Sequence, residues 1–253
     1  MNPLHSVDIL VISALTQEIK GSVRFFNSQA KEIETGRQTK NYWETTMKGA
    51  VIGFRVCGVG KKRAVKDFAS SLKQVRPNQI LVIGFSGSLS TDLSIGDIAI
   101  IESTQYNGST LAFNSDLTQK VKLALKEARI SFNSGKSVTV DSVIDTAKAK
   151  NHLHSISQAD CVDMESHHLA SLADTYHIPI AMIRVISDYA DETIGMDFNA
   201  IPRGKWASRR YFLSRPRLWI PLMKLRFDIA KAASRLTTAT RYALTSLLNK
   251  PER

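Results

Sequence analysis

The stretch Ile180-Ala181-Met182-Ile183-Arg184-Val185-Ile186-Ser187-Asp188-Tyr189-Ala190-Asp191 decides the fold. Its first seven residues, mostly apolar, read as a short buried strand, and Ser187-Asp188 places polar chemistry at the carboxyl end. Working outward, the same grammar recurs. A strand is expected over residues 6–14 with a helix over 16–26 behind it, and paired strands over 41–48 and 51–57 turn at Lys48-Gly49. A helix over 62–75 leads into a short strand over 80–83 and a glycine-rich loop, Gly84-Phe85-Ser86-Gly87-Ser88. Further strands are expected over 98–101 and 138–140, with helices over 117–128 and 165–176. Short apolar strands alternating with helices predict a three-layer α/β domain.

Three acidic residues fall where such a fold gathers ligands, at the carboxyl ends of strands. Glu18 begins the helix after the first strand, Glu165 lies in Val162-Asp163-Met164-Glu165-Ser166, and Asp188 closes the decisive stretch. Each alone also fits a carboxylate in the first turn of a helix. Other signals are weaker. Gly58-Val59-Gly60 lacks the third glycine of a dinucleotide fingerprint, since Arg63 holds that place, and Ser134-Gly135-Lys136-Ser137 has Ile130 where a phosphate loop starts with glycine. His152/His154 and His167-His168 lack cysteine or carboxylate partners at ligand spacing, so no metal and no cofactor are expected.

Composition bounds the rest. The 253 residues suffice for one domain with an appendage, and the two cysteines, Cys57 and Cys161, suit a reduced, cytoplasmic, disulfide-free protein. No signal peptide and no membrane-spanning run is expected. The net charge of +11 is unevenly placed: residues 203–253 hold thirteen Lys and Arg against Asp228 and Glu252 and so carry all of it. A neutral body (1–202) with a basic tail (203–253) points to an anionic partner for the tail, membrane surface or nucleic acid.

In combination, Ala14-Leu15-Thr16-Gln17-Glu18-Ile19, Gly84 to Leu89 before Gly96-Asp97, Asp163-Met164-Glu165 and Arg184 to Asp191 resemble the nucleoside phosphorylase/nucleosidase superfamily. The pattern is similar to that of the methylthioadenosine/S-adenosylhomocysteine nucleosidases. The resemblance runs from about Val7 to Phe198 and implies an α/β/α domain around a twisted mixed sheet, acting on the N-glycosidic bond of a purine nucleoside. It implies that Asp188 protonates or hydrogen-bonds purine N7 and that Ser187 orients Asp188. Glu165 then accepts from ribose hydroxyls, Met164 packs on the sugar, Glu18 positions or deprotonates a water, and Phe198 closes over the base. It also implies a homodimer or larger assembly. The chemistry stands without the resemblance: an oxocarbenium-like state needs an acid at the base and anions near the sugar, and burial keeps one carboxyl protonated.

Phosphorylases of the superfamily carry an arginine just before the glycine-rich loop. Here that position is Val82, so hydrolysis is favoured over phosphorolysis. Beyond Phe198, Ser214-Arg215-Pro216 opens a helical run that Pro221 should kink or restart. Arg217, Lys224, Asp228, Lys231 and Arg235 share one face of it, and Leu218, Leu222, Leu225, Ile229 and Leu236 another. The Arg-Pro element and Leu-rich basic helix resemble the hopanoid-associated members of the superfamily, which are assigned to releasing adenine from adenosylhopane. The expected substrate is therefore a small or lipid-linked nucleoside, met at an anionic membrane surface through the tail, without nucleic acid. The alternatives are a soluble methylthioadenosine/S-adenosylhomocysteine nucleosidase, a purine nucleoside phosphorylase, or a nucleic-acid-binding protein on an inactive fold.

Overall fold

A computed structural model of the chain describes residues 5–26, 31–32, 41–113, 115–193 and 219–249. The elements run β1 (His5–Ser13), α1 (Thr16–Phe26), β2 (Lys31–Glu32), β3 (Tyr42–Met47), β4 (Ala50–Val56), α2 (Lys61–Leu72), β5 (Val75–Ser88) and β6 (Ile98–Tyr106). They continue with β7 (Ser109–Ala112), α3 (Asp116–Glu127), β8 (Asn133–Thr139), α4 (Ala147–Ser157), β9 (Cys161–Asp163), α5 (Ser166–Thr175), β10 (Ile180–Asp188) and α6 (Trp219–Leu247).

The period of two along each strand builds the layers. Ile9 and Val11 of β1, Leu81 and Ile83 of β5, and Ile183 and Val185 of β10 enter one apolar core with α1, α3 and α6. Their neighbours Leu10 and Ile12, Ile80 and Val82, and Met182 and Ile186 enter a second core with α2 and α5. The strands are apolar on both faces because helices cover both. This is the expected three-layer α/β/α arrangement around a mixed sheet.

The sheet is ordered β10-β6-β8-β9-β5-β1-β4-β3-β2, and β10 also pairs with β5, so β5, β10, β6, β8 and β9 close into a ring. One junction shapes the site. β1 runs parallel to β5 as far as Val82, whereas β9 takes up pairing with β5 only at Gly87 and Ser88. β10 runs along β5 from Ile80 to Gly87 and is irregular between Ile186 and Asp188, leaving Ser187 as a bulge.

Two sequence expectations need correction. Residues 84–88 are not a loop: β5 is one strand through Ser88 because β10 pairs alongside it and β9 pairs with its end. The glycines there give close approach rather than a turn. A Cβ on Gly84 would lie 2.2 Å from Nη1 of Arg184, and one on Gly87 would lie 3.0 Å from Oδ2 of Asp188. Helix α4, for which the pattern gave no signal, spans Ala147–Ser157. It starts at Thr146, whose side chain accepts from the Ala149 amide, and buries only Lys150 fully. A helix without an apolar stripe has no periodicity to read.

The charge boundary near residue 203 is not a packing boundary. Ala232, Leu236, Ala239, Ala243, Leu244 and Leu248 belong to the same core as β1, β5 and β10. Pro221 lies in the first turn of α6, where a proline costs no hydrogen bond. The expected basic face is divided. Arg235 donates to the carbonyl of Gly96 at 3.2 Å, and Lys231 lies over the same glycine. Lys224 pairs with Glu192 at 2.5 Å. Arg217 and Leu218 lie outside the described residues. Met223 and Phe227, one turn apart on α6, are 58% and 71% exposed. No described helix is long and apolar enough to cross a membrane.

Candidate active site

The carboxyl ends of β1, β5, β9 and β10 meet at one cleft lined by Ala14, Leu15, Glu18, Phe85, Gly87, Met164, Glu165, Ser187 and Asp188, among others. Five of the six residues singled out from the sequence as the site thus lie together: Glu18, Met164, Glu165, Ser187 and Asp188 line it, and Phe198 is outside the described residues.

Glu18 fills the gap between β1 and β9 on the edge of β5. Its Oε1 accepts from the Phe85 amide at 2.9 Å, a group no strand reaches, and its Oε2 accepts from the Leu15 amide at 2.7 Å. Burial raises its pKa above the ordinary carboxylate value, opposed by these amides and by Arg184. Such a carboxyl is a stronger base toward water than an exposed one.

Glu165 sits at the start of α5. Its Oε1 accepts from the Gly60 amide at 2.7 Å, which ties the Gly58-Val59-Gly60 turn to the site. Burial first, then the neighbouring Asp163 charge, raises its pKa to about 7, against the pull of Arg184 and Gly60. Asp163 organises this corner: its Oδ1 caps α5 by accepting from the amides of Glu165 and Ser166, and also from the Thr139 hydroxyl.

Arg184, 1% exposed, was visible in the sequence without a role. Its Nη2 and Nε donate to Ser166 Oγ at 2.7 and 3.1 Å, and Nε lies 3.4 Å from Asp163 Oδ2. The guanidinium occupies the space left by the missing side chain of Gly84, beside Glu18. A charge inside a strand buried on both faces demands partners, and that signal could have found it. Lys150 carried no signal: its ammonium contacts Asp188 Oδ2 and the Tyr189 carbonyl from α4. The Ser187 hydroxyl faces both Asp188 Oδ1 at 2.9 Å and the Ser86 carbonyl at 3.2 Å. Asp188 is therefore matched with a cation, and the carboxyls that burial holds toward the protonated form are Glu18 and Glu165. The His167 and His168 rings pack with Tyr106, and no described cluster of His, Cys, Asp or Glu could hold a metal.

Comparison with known proteins agrees with this architecture. The chain is 25% identical over 205 residues to the 5′-methylthioadenosine/S-adenosylhomocysteine nucleosidase of Desulfotalea psychrophila, covering 74% of this chain and 86% of the relative. It is 29% identical over 206 residues to the nucleosidase of the same name from Buchnera aphidicola, with the same shares covered. Its fold matches the futalosine hydrolase of Helicobacter pylori (TM-score 0.74, 18% identity, 96% of this chain and 98% of that one). It also matches the 5′-methylthioadenosine/S-adenosylhomocysteine nucleosidase of Neisseria meningitidis solved with methylthio-immucillin-A (TM-score 0.75, 18% identity, 96% and 100%). The profile of the phosphorylase superfamily matches residues 8–202, which contain β2 to β10, most of β1 and every described residue of the cleft, and the chain belongs to that superfamily.

Proposed function

We propose that the protein hydrolyses the N-glycosidic bond of a purine nucleoside. The observation that carries this is the convergence of Glu18, Glu165 and Asp188 on one cleft. Departure of the base leaves positive charge on the sugar and negative charge on the base. In this reading Asp188, with Ser187, holds the N7 edge of the base, Glu165 accepts from ribose hydroxyls above Met164, and Glu18 takes a proton from the water that attacks the anomeric carbon. The nucleosidase names of the curated relatives support the same class.

Water rather than phosphate fits the electrostatics. Val82 is buried in the apolar core, and Arg184 is held by Ser166 and Asp163 behind the cleft. A phosphate dianion would face Glu18, Asp163 and Glu165 with no arginine among the described residues that line the cleft, and both desolvation and repulsion oppose it. With an adenine nucleoside as substrate, release of free adenine and a reducing sugar at a rate independent of phosphate is the expected result. Saturable dependence on phosphate with a sugar 1-phosphate as product would refute it.

The finer reading is an adenine nucleoside joined to a lipid, such as adenosylhopane, presented at an anionic membrane. It is supported by exposed Met223 and Phe227 beside Lys224 and Arg226 on the first turns of α6, and by the charge of residues 203–253. Each cation near an anionic leaflet contributes about 1 kcal/mol. Binding to phosphatidylserine vesicles should weaken with salt, and it should weaken further on joint replacement of Met223 and Phe227 by serine. Hydrolysis of water-soluble methylthioadenosine should survive that replacement. Equal vesicle binding by parent and variant would leave the soluble methylthioadenosine/S-adenosylhomocysteine nucleosidase as the better reading.

A further inference from the structure

Lys150 is 0% exposed, yet it carries a charge whose ion-pair partner is Asp188. Removing an ammonium from water costs several kcal/mol, and an ion pair seldom returns more than a well-packed apolar side chain would. The position is also electrostatically poor, since Lys150 is the fourth residue of α4 and a cation near a helix N-terminus opposes the helix dipole. Stability alone does not account for a lysine here.

Its geometry does. The ammonium takes Oδ2 of Asp188 and the Tyr189 carbonyl, while the Ser187 hydroxyl stands at Oδ1, so the carboxylate is gripped from two sides. The Ser187 bulge in β10 and the bare face of Gly87 leave room for that carboxylate beside the cleft. Helix α4 is tied to the segment after β10, because the Ala147 amide donates to Thr193 Oγ1 at 3.3 Å. The helix and the strand end therefore hold their two charges in one frame.

We propose that Lys150 is a positioning residue that fixes Asp188 as an oriented anion, an inference that rests on the nucleosidase reading above. Asp188 then acts as an acceptor. N7 of the purine takes its proton from solvent, and the N7–H donates to Asp188. The C1′–N9 bond breaks with its electron pair moving onto the base. Water adds to C1′ and gives a proton to Glu18, which returns it to solvent. One proton enters at N7 and one leaves through Glu18, and none leaves Lys150.

The test compares the parent with Lys150→Met and Lys150→Arg on two substrates. One is methylthioadenosine, whose base must leave with a proton on N7. The other is 4-nitrophenyl β-D-riboside, whose nitrophenolate leaves without one. Lys150→Met should lower kcat on methylthioadenosine by roughly tenfold to a hundredfold with KM little changed, the size of a lost contact to the departing group. The same variant should stay close to the parent on the nitrophenyl riboside. Lys150→Arg, which keeps the charge, should recover much of the loss. Unchanged kcat in Lys150→Met, or an equal loss on both substrates, would overturn the inference while leaving the nucleosidase reading intact. A parent that releases base from no purine nucleoside would overturn both.

Discussion

Asp188→Asn is expected to lower kcat for base release by roughly 10²- to 10⁴-fold, the range for a group acting on the departing atom, with a small change in KM. The amide keeps the shape at the end of β10 but replaces one acceptor oxygen with a donor. It also strands Lys150, whose ammonium is buried and paired to Asp188 Oδ2. An unpaired buried charge of this kind costs about 3–5 kcal/mol, so the variant should melt well below the parent. Adding Lys150→Met to Asp188→Asn should restore most of that stability and none of the activity. The double variant separates the two effects: thermal unfolding reads the stranded charge, and steady-state kinetics read the lost contact to the base. Near-normal turnover by folded Asp188→Asn would remove Asp188 from the mechanism. A single variant as stable as the parent would show that the ion pair contributes no constraint.

The parts of this site that were legible in the sequence share a physical property. Asp188 ends β10, Glu165 lies two residues after β9 and Glu18 five residues after β1, so the change from apolar to acidic marks a strand end, and strand ends of an α/β sheet converge. The strands declared themselves because helices bury them on both sides, and the runs 80–83 and 180–186 are correspondingly almost uniformly apolar. What the sequence hid depends on pairing between distant segments. Residues 84–88 read as a loop because glycine and serine are poor strand formers. They are strand because β10 and β9 pair with them and because Arg184 and Asp188 need the space that Gly84 and Gly87 leave. Lys150 lies on a helix without an apolar stripe, 38 residues from its partner, and no local pattern announces such a contact. The basic stripe of the tail was real as a helical projection. Projection alone did not reveal that Lys231 and Arg235 lie over Gly96, since that depends on how α6 docks on the body.

Glu165→Gln should change activity and stability in opposite directions. In the parent, Glu165 titrates at about 7, raised from 4.5 by burial and by Asp163. As an anion it accepts from two ribose hydroxyls, and as a neutral acid it has one acceptor oxygen fewer to offer. The parent's kcat/KM should therefore fall as pH drops through about 7, with Glu18, also raised by burial, adding to the same limb. In Glu165→Gln the part belonging to Glu165 should vanish, leaving lower activity at pH 8 and a weakened preference for ribosides over 2′-deoxyribosides. Stability runs the other way. Between 4.5 and about 7 the folded state holds a proton that the unfolded state has released, so stability falls as pH rises through that window. Above it, burying the charge costs about 3 kcal/mol at 1.36 kcal/mol per unit. Glutamine has no charge to bury and can still accept from the Gly60 amide, so Glu165→Gln should be more stable than the parent at pH 8 and lose that advantage near pH 4.5. Denaturant unfolding at the two pH values, set beside kcat/KM on riboside and 2′-deoxyriboside, measures both halves. A variant that is less stable at pH 8, or one that discriminates sugars as the parent does, would show that Glu165 is a structural cap rather than the group that reads the ribose.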